Sequence, residues 1–502
     1  MENKPNSRQK RALIFFSLGV LALAAVVFMN YYFHKNTVSQ GDEAAPMEEI
    51  MAAAEQGEAK AQAILGFMYE NGKGVTQNFH EAVKWYRLAA EQGEAKAQVN
   101  LGAMYESGEG VAQDKAEAVK WFRLAAQQGD AKAQYNLGFM YRKGQGVAQD
   151  YNEAIKWYRL AAEQGMADAQ FNLGSMYDNG EGVSQDYAEG RKWYRLAAEQ
   201  GQAIAQYNLG IIYVNGYGVS QDYAEAFKWF RMAAGQGMAE AQFNLGNHYY
   251  YGQGVAQSHA ECVKWYLMAA EQGMAKARVN LGSMYESGEG VAQDYAEAVK
   301  WYRLAAEQGD AVAQFNLGNM YFLGHGVAQD YNEAVKWYLM AAEQGYAVAQ
   351  FNLGNMYFLG HGVAQDYDEA VKWYLMAAEQ GYAVAQFCLS NMYYYGYGVA
   401  QDYAEAFKWI RMVAEQGDPY AQCNLGELYF KGQGVAQDYA EAAKWYRLAA
   451  EQGEAEARYI LGNMYFLGQG TAQDFNEAGK WYSRLAAEQV KAIVPHNPVS
   501  HE

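Results

Sequence analysis

Apolar and polar residues alternate through this chain with a period that returns every 36 residues. The stretch from Asp310 to Gly345, DAVAQFNLGNMYFLGHGVAQDYNEAVKWYLMAAEQG, is one copy of the unit, and copies run from Glu58 towards the C-terminus. All 12 tryptophans, from Trp85 to Trp481, keep the spacing. A fixed period of this length signals an array of stacked supersecondary units. Within the unit, Ala313, Leu317 and Met320 or Tyr321 fall on one side of a helix, so Asp310 to Gly324 reads as a first helix, A. The loop HGVAQD follows, with Gly324 and Gly326 free to take backbone angles other residues resist. Asp330 with Glu333 three residues on predicts a capping box that opens a second helix, B, from Tyr331 to Gln344. Gly345 stands where a C-cap glycine belongs. Each unit is therefore a helical hairpin, and the fold class is an all-α solenoid.

The motifs A-x-A-Q-x-N-L-G-x-M-Y, G-x-G-V-x-Q-D-Y, E-A-x-K-W-Y and A-A-E-Q-G resemble Sel1-like repeats, relatives of the tetratricopeptide repeat. The resemblance covers Glu58 to Val490 and recurs twelve times in register. It implies a right-handed superhelix of stacked hairpins that acts as an adaptor for other proteins, with helix A lining the concave groove.

Comparing the twelve units with one another separates scaffold from variable surface. Leu317, Gly318, Tyr321, Gly326, Trp337, Ala341 and Ala342 scarcely change, which marks them as shared packing, with the tryptophan supplying a large buried surface; only Ser390 breaks the glycine row. The variable places of helix A are those of Val312, Phe315, Asn319, Phe322 and Leu323, on one side of the helix. Early units put residues such as Ala103, Glu106 and Ser107 there. Later ones carry Asn319, Phe322, Leu323; Asn355, Phe358, Leu359; Asn391, Tyr394, Tyr395; Glu427, Phe430, Lys431; and Asn463, Phe466, Leu467, with Asn247, Tyr250 and Tyr251 as an isolated earlier instance. Amides pair with any peptide backbone and aromatic faces hold side chains. The expected partner-binding residues are therefore Asn319, Phe322, Leu323, Asn355, Phe358, Leu359, Asn391, Tyr394, Tyr395, Asn463 and Phe466. The competing reading for Phe322 and Leu323 is packing against the next unit.

Ahead of the array, Ala12 to Phe33 is 22 residues without a charge, ALIFFSLGVLALAAVVFMNYYF, preceded by Lys4, Arg8, Lys10 and Arg11. That length and flank predict a transmembrane signal-anchor at 12–33, with residues 1–11 cytoplasmic and the remainder outside. Cleavage after Ala22-Leu23-Ala24, giving a secreted form, is the alternative, but the apolar run continues through Val26 to Met29. Residues 34–45 read as a linker, 46–57 as an N-terminal capping helix with Glu49 in the tryptophan place, 58–490 as the repeats and 491–502 as a tail. With the family resemblance, the expected setting is a single-pass protein of a bacterial inner membrane with its repeats in the periplasm.

Charge and chemistry change this picture little. The 502 residues hold 57 Asp plus Glu against 39 Lys plus Arg, which argues against nucleic acid as a partner of the array. The three cysteines, Cys262, Cys388 and Cys423, occupy no common repeat position, so they build no disulfide framework. A Cys388–Cys423 bridge between neighbouring units stays open beside the reading as core thiols. His325 and His361 share a loop position, but no third ligand joins them at metal-ligand spacing. Ser7 to Lys10 matches S-x-x-K by chance. No catalytic residue, cofactor, metal or small-molecule substrate is expected. The expected function is an adaptor for protein or peptide partners, with a carbohydrate or peptidoglycan-binding envelope module as the alternative and a hydrolase as a remote one.

Overall fold

The computed structural model describes residues 47–493, and these fall into two compact bodies, one ending at Ala205 and the other beginning at Gln206. Among the described residues the regular structure is entirely helical. A nine-residue helix, Met47–Glu55, opens the first body, and hairpins of two helices follow, thirteen residues each but for the twelve of Tyr295–Ala306, beginning with Ala59–Asn71 and Phe79–Glu91. In the unit read above, helix A is Ala311–Leu323 and helix B is Tyr331–Glu343. The last helix B runs longer, Phe475–Ile493.

Three local devices shape each hairpin. Gly324 ends helix A in the left-handed region, φ 74°, and its N–H donates to the Met320 carbonyl at 2.9 Å. Gly326 is required by proximity: at φ 70°, a Cβ there would sit 2.3 Å from the carbonyl oxygen of Tyr295, the first residue of the preceding helix B. Asp330 Oδ1 then accepts from the N–H groups of Asn332 and Glu333, at 2.9 and 3.1 Å, and opens helix B. The capping box stays open. The Asp330 N–H is already donated to the Tyr321 carbonyl at 3.0 Å, and the Glu333 carboxylate binds Lys336 Nζ at 3.3 Å and Trp337 Nε1 at 3.2 Å instead.

Helices A and B of one hairpin approach closely because a glycine faces a ring. A Cβ on Gly318 would lie 2.7 Å from Cδ1 of Tyr338, which is buried. The same glycine–aromatic pair recurs at Gly66–Tyr86, Gly102–Phe122 and Gly354–Tyr374. This explains Ser390: its unit carries Ile410 in the tyrosine place, and the room so released admits a side chain whose hydroxyl donates to the Ala406 carbonyl at 2.8 Å. The most enclosed ring of the unit is the tyrosine; its tryptophan neighbour is buried in some units, as Trp301 and Trp337 are, where it packs on the preceding helix B, and half-buried in others, as Trp85 and Trp121 are.

Successive hairpins are joined by a buried glutamine. Gln314, 1% exposed, donates from Nε2 to the Ala306 carbonyl at the end of the preceding helix B, 3.1 Å, and its Oε1 accepts from Gln344 at 2.7 Å. Gln98 makes the same pair of contacts in the first body, with Ala90 and Gln128. Where arginine replaces the glutamine, Arg278 Nε reaches the Ala270 carbonyl at 3.0 Å and Nη1 reaches the Leu304 carbonyl at 3.1 Å, so the link persists.

These lengths correct one expectation. A helix of thirteen residues spans about 20 Å, short of the roughly 30 Å hydrocarbon core. The longest, Phe475–Ile493, carries Glu477, Lys480, Arg484, Glu488 and Lys491. No helix among the described residues is long and apolar enough to cross a membrane. This overturns the expectation of a single-pass membrane protein with periplasmic repeats; the segment 12–33 on which it rested lies outside the described residues, as do 1–11, 34–45 and 494–502.

The glycine–ring contact makes a signed prediction. Helix propensity alone would favour Gly318→Ala by about 1 kcal/mol, but the clash with Tyr338 should make it destabilising by about 1–3 kcal/mol in urea unfolding. In a Tyr338→Ile background, which copies the place of Ile410 opposite Ser390, the same alanine should become neutral or favourable. Additive effects in the two backgrounds would refute the contact.

Candidate functional site

The variable face of helix A is built differently in the two bodies. In the second body, Asn319, Asn355 and Asn463 are half-buried, and each Oδ1 accepts from the tyrosine hydroxyl of its own helix B: Tyr338 at 2.6 Å, Tyr374 at 2.7 Å and Tyr482 at 2.7 Å. Asn247 does the same with Tyr266. Burial pushes these phenols up, so they stay protonated donors. The asparagine is therefore half scaffold: its oxygen satisfies the core, while among the described residues no acceptor meets the NH2 group of Asn319 or Asn355. Asn391 lacks the phenol because Ile410 replaces it.

The remaining expected residues divide by exposure. Leu323, Leu359, Tyr395 and Phe466 are 52%, 54%, 60% and 49% exposed. Phe322 and Phe358 are half-buried wedges, 5.3 Å from the Tyr331 ring and 5.2 Å from the Tyr367 ring, and they also pack towards the next unit's loop at His361 and Tyr397. Tyr394 packs on Tyr395 and Tyr403, and its hydroxyl donates to Gln433 at 3.2 Å. Sequence reasoning treated the whole face alike; the structure separates its open positions from those bridging units. It also leaves Val312, Val384, Tyr420 and Leu467 exposed on helix A, which the expected set omitted although Val312 marked a variable place.

In the first body the places of Phe322 and Leu323 are polar, and some of them pair internally. The Arg142 guanidinium grips Glu181 of the next unit through Nε, 2.8 Å, and Nη2, 3.2 Å, and reaches Asn172 at 3.0 Å. Tyr86 donates to Glu70 at 2.5 Å, the carboxylate standing in for the later asparagine. Asn100 approaches Tyr86 across the unit boundary, but the equivalent Asn136, which follows a unit with Phe122 in that place, has a buried Nδ2 with no partner, whereas Asn244 after Phe230 donates to the Tyr207 hydroxyl at 3.5 Å. Burial raises the Glu106 carboxyl, opposed by Lys115, and pushes Asp178 up to about 6, with its Oδ1 unpartnered.

Nucleophile and metal chemistry find no built place here. Cys262, Cys388 and Cys423 are free thiols, pushed by burial up to about 12, about 11 and about 12. His325 and His361 each stack on a tyrosine of the preceding unit, Tyr295 at 4.6 Å and Tyr331 at 4.9 Å. No group of three or more His, Cys, Asp or Glu among the described residues is placed to hold a metal ion.

The architecture is that of a helical-hairpin repeat solenoid, a class that generally serves as a scaffold for protein–protein contacts and is typically non-catalytic. The chain belongs to the Sel1 repeat family, which matches twelve successive segments from residues 59–94 to 455–489. It is similar to the crystal structure of a protective antigen present in uropathogenic Escherichia coli strains, which displays the same repeat fold. That likeness is 38% in sequence, with a TM-score of 0.75, and covers 91% of this chain and 99% of that one. A Sel1 repeat protein from Oxalobacter formigenes is 34% identical over 60% of this chain and 90% of its own, with a TM-score of 0.48. No curated protein sequence matches the chain.

Asp178 supplies the prediction. Its folded carboxyl is raised to about 6, above the ordinary value near 4, so the charged form is penalised only in the folded state. That cost is absent below about pH 4, grows as pH rises and is complete above about pH 6. Asp178→Asn should therefore match the parent at pH 4 and exceed it in unfolding free energy by on the order of 2 kcal/mol at pH 7. A difference that does not vary with pH would refute it.

Proposed function

We propose that the chain is an adaptor that holds extended peptide segments of other proteins along the helix A face of its second body. The observation that carries this reading is the recurrence of open apolar side chains at one place in successive units: Leu323, Leu359 and Tyr395, each more than half exposed, with Leu467 two units further on. Isolated surface leucines are ordinary, whereas a row is the mark of an interaction surface. Asn319 and Asn355 add amide donors beside the row, and a backbone in extended conformation offers carbonyls to receive them. The units carrying Leu323 and Leu359 differ only at Asn332 against Asp368 between Ala311 to Gly345 and Ala347 to Gly381, so one partner segment would meet the same chemistry twice.

The test is panning of a displayed random-peptide library on the full chain. Enriched peptides should bind in solution and lose at least about tenfold in affinity, about 1.4 kcal/mol, against a Leu323→Glu/Leu359→Glu/Tyr395→Glu variant. Because these side chains are exposed, the variant's unfolding free energy should stay within about 0.5 kcal/mol per site. Enriched peptides that bind parent and variant alike, or a library that yields none, would overturn the proposal.

A further inference from the structure

The tyrosine that opens helix B in four successive units, Tyr295, Tyr331, Tyr367 and Tyr403, has a hydroxyl held in one role. Its oxygen accepts from a glutamine two residues earlier: Gln293 at 3.0 Å, Gln329 at 3.1 Å, Gln365 at 3.0 Å and Gln401 at 2.9 Å. The same glutamine Nε2 also donates to a carbonyl in the last turn of helix A, that of Glu286, Phe322, Phe358 or Tyr394, at 2.8–2.9 Å. The phenol oxygen is thus anchored to the scaffold, and among the described residues its hydrogen has no acceptor. What remains is a row of four donors, one per unit.

A second row lies beside the first. The loop of the following unit lays a ring against the tyrosine: His325 on Tyr295, His361 on Tyr331 at an interplanar angle of 10°, and Tyr397 on Tyr367 at 5.4 Å. Tyr397 continues to the exposed Tyr395 at 5.8 Å. The first body repeats the tyrosine and glutamine at Tyr151 with Gln149 and at Tyr187 with Gln185, and the loop that follows Tyr151 carries Glu181 rather than a ring. Three such ring pairs in successive units lie in the second body, and these ring and hydroxyl positions include no carboxylate, lysine or arginine.

We propose that this loop edge of the second body docks a proline-rich segment in the polyproline II conformation. The inference rests on the peptide-binding reading and names the class of peptide. An ordinary extended strand brings backbone N–H groups that need acceptors, and each tyrosine oxygen already gives one of its two lone pairs to its glutamine. Proline brings none, and a polyproline II helix leaves its carbonyls free to accept from phenols while its rings lie on aromatic faces. The step fits as well. Stacked hairpins repeat at roughly one helix diameter, about 10–12 Å, and one polyproline turn of three residues advances about 9 Å. A chain of about ten residues would meet three tyrosines.

The test is fluorescence anisotropy on the full chain with labelled decaproline, a Gly-Ser decapeptide and a labelled glucose hexasaccharide. Decaproline should bind at least about tenfold more tightly than the Gly-Ser peptide. A Tyr331→Phe/Tyr367→Phe/Tyr403→Phe variant keeps every ring and every glutamine-to-carbonyl bond but loses the donors, and should weaken decaproline at least about tenfold, from a severalfold loss at each hydroxyl. If the triple variant melts early, Tyr367→Phe alone should give about a fivefold loss. Equal affinity for decaproline and the Gly-Ser peptide, unchanged decaproline binding in the Phe variants, or binding of the hexasaccharide alone would overturn the inference. If proline-free library peptides bind through Leu323, Leu359 and Tyr395 while decaproline does not, this inference fails and the peptide-adaptor reading stands.

Discussion

Everything on the surface of this array depends on one buried amide. Gln350 sits at the seam between hairpins, donates to the Ala342 carbonyl at 3.0 Å and accepts from Gln380 at 2.7 Å. A single side chain thereby ties the end of one helix B to both helices of the next hairpin. Leaving such a group unpaired costs about 1–3 kcal/mol, so the amide specifies the stacking register as well as stabilising it. Hydrophobic contact alone would tolerate sliding, since Ala341, Ala342 and Ala349 present similar small surfaces on either side of the seam. With the register fixed, Leu323 and Leu359, or Tyr331 and Tyr367, recur at a constant step and can act together on one partner.

Within the hairpin, the glycine–tyrosine approach sets the second constraint, and it transmits chemistry from core to surface. A tyrosine packed on glycine buries its hydroxyl, and several units give it an acceptor, an Asn319-type amide or a Glu70-type carboxylate on the variable face, whereas the Tyr158 hydroxyl has none. Where the ring is Phe122 or Ile410, no acceptor is needed, and Asn136 keeps a buried Nδ2 without a partner. The variable face is therefore only partly free to vary. Its residues near the hairpin axis answer to the core, and those nearer the loop, such as Leu323 and Tyr395, answer to whatever lies outside.

Much of this was legible in the sequence. The 36-residue period gave the hairpins, and Asp330 and Gly324 marked helix ends that the structure places within a residue of expectation. Constancy between units pointed to Leu317 and Gly318 as packing, but it could not say what the glycine packs against, because the tyrosine lies twenty residues away and only three-dimensional contact pairs them. The tryptophan row drew attention by rarity, and Trp157, Trp301 and Trp337 are indeed buried, but the more enclosed ring is the tyrosine beside it. For the candidate surface, spacing placed the variable residues on one side of helix A but could not separate the exposed Leu359 from the wedged Phe358, one residue apart on the same helix turn. The row formed by Tyr295 to Tyr403 escaped notice because its tyrosines looked like part of a constant motif, and the role of their hydroxyls appears only once the glutamine contacts are seen. A charge-free run of 22 residues read as a membrane span, while the helices of the described array are too short and too polar for one.

The central claim is that the buried glutamine holds each hairpin on the one before it, so that coupling runs from neighbour to neighbour. Native-state hydrogen exchange on a Gln350→Ala variant tests it most directly. Protection should fall most in helices Ala347–Leu359 and Tyr367–Glu379 and in the last turn of Tyr331–Glu343, and should recover with distance until Phe475 and beyond exchange as in the parent. Unchanged protection around Gln350, or a uniform loss throughout the second body, would contradict the account.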